Sequence, residues 1–249
     1  MTPALPQPHV VDTASCTGEV HDQGAQVTRW APRGADPVLH VSSAVRLARG
    51  VPIRAGIPVC WPWFGPGRAP GMEPSHGFAR TATWQLAERV EEQGSVTFVH
   101  RLTERDVTSP HWPHPYAVEL RSHLGGHLEV SLTTTNTGAE PFDYEEALHA
   151  YLVVGDINQV SLDGLVGVPF YDKVFGAERH QTGLADSVWQ REGKIDDGAV
   201  LIALIHNHDL PWSVSSSGIY DYLRCALCRG CSHLCVPCIK HARELFFSR

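Results

Sequence analysis

The fold class of this chain is decided by one stretch, Tyr116-Ala-Val-Glu-Leu-Arg-Ser-His-Leu-Gly-Gly-His-Leu-Glu-Val-Ser-Leu-Thr133. Apolar and polar side chains largely alternate on both sides of Gly125 and Gly126, and a period of two is the pattern of a β-strand. Two adjacent glycines suit a two-residue primed turn, in which both central residues need a positive φ. The stretch therefore predicts a β-hairpin.

The rest of the chain also favours strands over helices. The runs 96–102 and 146–154 have the composition of strands, and the turn signal Asn136-Thr-Gly138 precedes the second run. No stretch of a dozen or more residues keeps an apolar period of 3.6, and 18 prolines and 22 glycines interrupt the chain. These features predict an all-β protein with a β-sandwich rather than an α/β fold.

The charge and the apolar runs limit the classes of partner. A net charge of −7 and a pI of about 6.1 leave no overall positive field, so we expect neither a nucleic acid nor a membrane as a partner. A small anion needs only a few local basic groups. Residues 1–11 lack the features of a signal peptide, and the run 199–205 is too short to span a bilayer. We therefore expect a cytoplasmic protein, and a monomer.

The segment 51–80 is rich in Pro, Gly and Trp, and such a segment is costly to order unless it builds a site. Arg54 is followed by small residues that allow the backbone to approach a ligand closely. The tryptophans and the phenylalanine after it could form an apolar wall for a sugar face. The alternative is a surface arginine beside an aromatic core cluster.

Three more side chains are candidates for a site. His76 and Arg80 lie close together in the string His76-Gly-Phe-Ala-Arg80, and a guanidinium group offers phosphate two parallel charge-assisted bonds. Arg54 and Arg80 would then form a phosphate clamp, unless the string is a solvated loop. His149 lies in an apolar strand, where an imidazole needs a partner or a purpose. The alternative for His149 is a structural histidine.

Four strings carry a resemblance, and they are Arg54-Ala-Gly-Ile-Pro-Val-Cys-Trp-Pro-Trp-Phe-Gly65, Ser75-His-Gly-Phe-Ala-Arg80, Glu146-Ala-Leu-His-Ala-Tyr151 and Val154-Gly-Asp-Ile-Asn-Gln-Val160. In this order and spacing they resemble the D-hexose-6-phosphate mutarotases, the glucose-6-phosphate 1-epimerase branch of the aldose 1-epimerase family. The resemblance covers roughly residues 20–195. It implies a galactose-mutarotase-like β-sandwich.

The resemblance also implies a reaction. Members of this family interconvert the α and β anomers of a sugar through the open-chain aldehyde. A base removes the proton of the anomeric hydroxyl, and an acid protonates the ring oxygen. Only protons move, so no metal or organic cofactor is expected. By resemblance His149 is the acid, a role that suits histidine because both of its protonation states are accessible near neutrality.

The substrate-binding residues are likewise implied by resemblance. Arg54 and Arg80 would bind the phosphorylated sugar, here a hexose 6-phosphate, and His76 would lie in the same pocket. Asp186 fits the place of a family aspartate that accepts hydrogen bonds from sugar hydroxyls. Ser187 stands where the family has an arginine.

The resemblance ends near residue 198. The family's base is a glutamate in a Val-x-x-Glu-Thr-like segment after Trp-Asn-Pro, and neither string is present; Glu244 is the one glutamate after Glu192. We expect a mutarotase-like sandwich over 1–197 that lacks its last strands, and a divergent tail over 198–249, as a reading-frame shift would produce. Catalysis should then be weak or absent. The alternative function is an inactive sugar-phosphate-binding protein without the base.

The tail contains five of the seven cysteines. Cys225-x2-Cys228-x2-Cys231-x3-Cys235 has the spacing of a bacterial iron–sulfur run, and Cys235-x2-Cys238 resembles a zinc-knuckle pair. A second alternative function is therefore a metal-binding module formed by the cluster Cys225–Cys238.

Overall fold

The computed structural model describes residues 6–153 in full and, after them, the backbone of the strands at 160–163, 169–172, 177–180, 200–204, 213–216, 222–227 and 240–248. Within these residues the chain forms strands, turns and loops, and no helix. The strands are β1 (His9–Asp12), β2 (Cys16–His21), β3 (Gln26–Pro32), β4 (Val59–Cys60), β5 (Gln85–Glu92), β6 (Ser95–Thr103), β7 (Tyr116–Leu124), β8 (Leu128–Asn136), β9 (Ala147–Val153), β10 (Val160–Asp163), β11 (Pro169–Asp172), β12 (Ala177–His180), β13 (Val200–Leu204), β14 (Ser213–Ser216), β15 (Tyr222–Leu227) and β16 (Lys240–Ser248). The all-β prediction is confirmed.

The predicted hairpin is formed by β7 and β8, but its turn differs from the prediction. Leu124 pairs with Leu128, so the loop has three residues, and neither Gly125 nor Gly126 adopts a positive φ. One hydrogen bond from another strand holds this turn, and a further strand lies close to it. The Trp30 indole N–H donates to the Gly125 carbonyl at 3.2 Å, and a Cβ on Gly125 would lie 3.1 Å from the Cβ of Ser95. The two-residue primed turn was wrong because these long-range contacts, and not local preference, set the backbone.

The strands form one six-stranded sheet, two three-stranded sheets and two two-stranded ladders. The order β15-β16-β8-β7-β6-β5 makes a six-stranded sheet, and β1-β2-β3 makes a three-stranded sheet. Alternate side chains of β7 and β8 are buried, as the sequence period requires. A single core cluster contains residues of both sheets, including Val20, Val27 and Trp30 from one and Leu120, Leu124 and Val130 from the other. Each such buried aliphatic side chain stabilises the fold by about 1.5–3 kcal/mol, so this contact holds the sandwich together.

A third sheet, β13-β9-β4, carries the strand in which His149 lies. β9 pairs with β4 through Val59–Leu148 and Cys60–Ala147, and with β13 through Leu204–His149. Two further ladders, β10-β14 and β11-β12, are two-stranded.

The segment 198–249, predicted to be a divergent tail, contributes strands to three of these sheets. β13 pairs with β9, β14 pairs with β10, and β16 pairs with β8 along its length, with β15 outside it. The division of the chain at residue 197 stays a prediction. The part of the chain that the structure describes contains no helix long and apolar enough to cross a membrane.

Candidate functional site

The candidate site begins on one face of β9. Leu148, Ala150 and Leu152 are buried in the core, while His149 and Tyr151 on the opposite face are half-buried. The rings of His149 and Tyr151 are stacked at an angle of 30° with centroids 5.1 Å apart. The period of two in a strand therefore places these two polar rings side by side.

The backbone after Arg54 runs along β9. The N–H of His149 donates to the Pro58 carbonyl at 2.9 Å, and the N–H of Tyr151 donates to the Gly56 carbonyl at 2.8 Å. Gly56 has a φ of 56°, and a Cβ there would lie 2.0 Å from the Val27 carbonyl oxygen. The small residues after Arg54 were expected to admit a ligand. Instead, Gly56 is required because the backbone of β3 occupies that space.

His76 is held in the left-handed region, with a φ of 66°. Its N–H donates to the Gly65 carbonyl at 2.7 Å, and its Nδ1 accepts from the Gly65 N–H at 3.3 Å. Because Nδ1 is an acceptor in this bond, neutral His76 carries its proton on Nε2. Such a strained conformation persists only where the surrounding contacts enforce it, and it is common at functional sites.

His76 and His149 come together although they are far apart in the chain. Their ring centroids are 5.9 Å apart, with the planes nearly perpendicular. The Phe64 ring meets His76 edge-on at 4.6 Å, and the Cys60 sulfur lies 3.6 Å from Nδ1 of His76. The rings of these two histidines therefore lie in contact.

Arg54 and Arg80 lie near this place, close enough for their charges to act on Tyr151. Burial lowers the pKa of Arg80, and the neighbouring positive charge of Arg54 lowers it further. Burial raises the pKa of Tyr151, while Arg54 and Arg80 oppose that rise. Among residues 6–153, neither arginine forms an ion pair with a carboxylate. Within the described part of the chain, two cations and a phenol therefore lie near one another without a carboxylate paired to either cation.

The loop 62–68 is fixed by Glu145. Its carboxylate accepts a hydrogen bond from the Phe64 N–H at 2.9 Å and pairs with Arg68 at 3.1 Å. Its own N–H donates to the Pro62 carbonyl at 2.9 Å. Glu145 thereby holds the Phe64 ring against His76.

The expected apolar wall is wrong for the tryptophans. Trp61 has no exposed surface and Trp63 is only 2% exposed. Trp61 packs against the rings of Tyr116 at 4.7 Å and Phe78 at 5.5 Å, so it belongs to the core. Phe64 is the half-buried aromatic side chain of this segment.

Sequence reasoning missed Tyr151 and Cys60 as members of the site. Tyr151 could have been found, because it lies two residues after His149 and a strand places such residues on one face. Burial raises the pKa of Cys60 to about 12, so its thiol is neutral here. Asp186 lies outside the described residues, and of the cluster Cys225–Cys238 only the backbone at the Cys225 end is described.

The sequence of this chain is similar to those of known proteins. The family profile described as "Aldose 1-epimerase" matches residues 9–201. A protein of Escherichia coli (strain K12), named "Putative glucose-6-phosphate 1-epimerase", is 38% identical over 171 residues, which cover 69% of this chain and 56% of that protein. A protein of the same name from Salmonella typhimurium is 37% identical over 169 residues, which cover 68% of this chain and 55% of that protein. The chain spans little more than half the length of these relatives.

Solved structures of the same kind share the fold. A crystal structure from Salmonella typhimurium, described as "a putative mutarotase", has a TM-score of 0.69 at 24% identity and covers 99% of this chain and 90% of that one. A galactose mutarotase-like protein of Lactobacillus casei has a TM-score of 0.57 at 15% identity. The match covers 96% of this chain and 87% of that one. The galactose-mutarotase-like architecture is therefore confirmed. With the profile spanning most of the sequence, the chain belongs to the aldose 1-epimerase family.

Proposed function

We propose that this chain binds a hexose 6-phosphate and interconverts its α and β anomers by general acid/base ring opening. Family membership supports a sugar substrate and anomer chemistry. The names of the relatives from Escherichia coli and Salmonella typhimurium support glucose 6-phosphate as the first substrate to test.

One observation carries the phosphate part of the proposal. Arg54 and Arg80 lie close enough for the charge of one to lower the pKa of the other, and no carboxylate in residues 6–153 pairs with either. A phosphate dianion would remove the repulsion between the two guanidinium groups and accept their parallel hydrogen bonds. The net charge of the whole chain, −7, makes this local positive region selective for a small anion rather than a polyanion.

The acid role falls to His149. Its ring is stacked on Tyr151 and meets His76 edge-on, so its plane is held by two aromatic neighbours. A sugar whose phosphate lies on the arginines would extend over this face of β9. His149 would then protonate the ring oxygen as the ring opens, and take the proton back when the ring closes on the other face.

A specific observation favours the second candidate function, a binding protein without catalysis. Glu244, the one glutamate after Glu192, lies in β16 opposite Ser131 of β8. That places its backbone on the six-stranded sheet and not beside β9. Without a base on a strand next to His149, the same site would bind the sugar phosphate and exchange its anomers slowly.

The experiment measures binding and exchange separately. Isothermal titration gives the Kd of glucose 6-phosphate, and NMR magnetisation exchange gives the rate of anomer exchange against buffer. The proposal expects saturable binding, and exchange above buffer that is lost in His149→Ala but kept in His111→Ala, an exposed loop histidine. Binding with exchange equal to that in buffer selects the second candidate. No binding of glucose 6-phosphate refutes both.

A further inference from the structure

A second cluster of polar side chains lies away from the candidate site. It combines His9 of β1, Asp22 of the turn between β2 and β3, and His100 of β6. The Nε2 of His9 lies 2.7 Å from Oδ1 of Asp22, and the Nε2 of His100 lies 3.1 Å from the same oxygen. The ligand atoms of these three residues all lie within 4.8 Å of one another.

We propose that His9, Asp22 and His100 bind one divalent transition-metal ion, with zinc the best match. Two imidazole nitrogens and one carboxylate oxygen are a donor set typical of zinc and its neighbours in the first row. They come from three segments of two sheets, so the metal would join the three-stranded sheet to the six-stranded one. None of them belongs to the sugar-binding site, so the proposal does not rest on that function.

The shape of the cluster suits a metal that enters from one side. The side chain of His100 is fully buried, whereas those of His9 and Asp22 are 26% and 33% exposed. The exposed side leaves room for a water molecule as the fourth ligand, as in open zinc sites.

The positions of the imidazole protons determine how tightly this site can bind a metal. Asp22 now accepts N–H bonds from both histidines, which is a sufficient structural role for it without a metal. When a metal binds at Nε2, each neutral imidazole keeps one proton, which moves from Nε2 to Nδ1. The Nδ1 of His100 is buried and has no hydrogen-bond partner among the described residues. A metal-bound histidine normally donates this N–H to an acceptor, so we expect moderate and not extreme affinity.

A metal here would also restrain the turn that carries Asp22, and through it the segment that follows Arg80. The Trp84 N–H donates to the Asp22 carbonyl at 2.8 Å, and the Gly24 N–H donates to the Ala82 carbonyl at 2.8 Å. The turn that carries Asp22 is therefore bonded to the segment that follows Arg80.

The test titrates zinc chloride into the chelator-treated full chain and counts equivalents. Wild type should bind one equivalent more than His9→Ala, while His127→Ala, which removes a histidine from the His123–His127 pair on the β7–β8 turn, should match wild type. Because the tail cysteines are the same in all three proteins, zinc bound there cancels in the difference. Magnesium should not replace zinc, since it prefers oxygen ligands.

A melting experiment gives the second readout. At free zinc about 100-fold above Kd, the Tm should rise by about 5–10 °C in wild type more than in the variant. If His9→Ala does not fold, His9→Gln serves, because its amide can still donate to Asp22 and is a poor zinc ligand. Equal zinc stoichiometry and equal Tm shifts in wild type and the His9 variant would overturn the proposal.

Discussion

Arg80→Gln should separate binding from stability. Within residues 6–153, Arg80 donates a hydrogen bond to the Ser75 carbonyl and pairs with no carboxylate. Losing that bond costs about 0.5–1.5 kcal/mol, and removing a half-buried cation beside Arg54 offsets the loss. We therefore expect the free energy of unfolding to change by less than about 1 kcal/mol.

The same substitution should weaken the binding of glucose 6-phosphate. A guanidinium fork gives phosphate two charge-assisted hydrogen bonds, each contributing about 1.5–3 kcal/mol. Because Arg54 remains to hold the phosphate, we expect Arg80→Gln to lose about 2–4 kcal/mol of binding free energy in total. This loss corresponds to a Kd raised roughly 30- to 800-fold. Binding of glucose without a phosphate should hardly change.

Calorimetric titration with glucose 6-phosphate and with glucose measures the change in Kd. Urea denaturation measures the change in the free energy of unfolding. Arg101→Gln is the matched control, because Arg101 is an exposed arginine paired with Glu119 on the six-stranded sheet. The reasoning is refuted if Arg80→Gln binds glucose 6-phosphate as tightly as Arg101→Gln does. It is also refuted if glucose and glucose 6-phosphate lose affinity equally.

Three further outcomes are expected. Gly77→Ala should lower the free energy of unfolding by about 2–4 kcal/mol in urea, since its Cβ would lie 2.0 Å from the Trp61 carbonyl oxygen at a φ of 74°; an unchanged midpoint would contradict this. The pKa of Cys60 is raised to about 12 by burial, so iodoacetamide at about pH 8 should leave its peptide unlabelled in mass spectra until urea unfolds the chain. Labelling of the native protein at Cys60 would show that the thiol is accessible. Burial lowers the pKa of His123 below 6.5 in the folded protein. The neutral ring therefore contributes fully to the free energy of unfolding above pH 6.5, and this contribution is lost as the pH falls through the lowered pKa. Thermal melts of His123→Gln between pH 7 and pH 5 should show less pH dependence than those of His111→Gln, and equal slopes would count against this assignment.

The strands were predictable because their signal is local. The predicted runs 96–102 and 146–154 are observed as Ser95–Thr103 and Ala147–Val153, so each end differs by one residue. A period of two needs no knowledge of distant residues, since alternate side chains of any strand lie on opposite faces. The turn at Gly125 could not be read in this way, because a tryptophan of another sheet holds its carbonyl.

By itself, then, the sequence determined an all-β chain that resembles the aldose 1-epimerase family. It also indicated the candidate site residues Arg54, His76, Arg80 and His149. Only the tertiary structure decided that His76 lies against His149, because long-range backbone bonds such as that from Tyr151 to Gly56 bring the loop 51–80 onto β9. It also turned the tryptophans from a sugar-facing wall into core and added Tyr151 to the site. Alternation along a strand is a local property, whereas the position of a loop depends on which distant backbone accepts its hydrogen bonds.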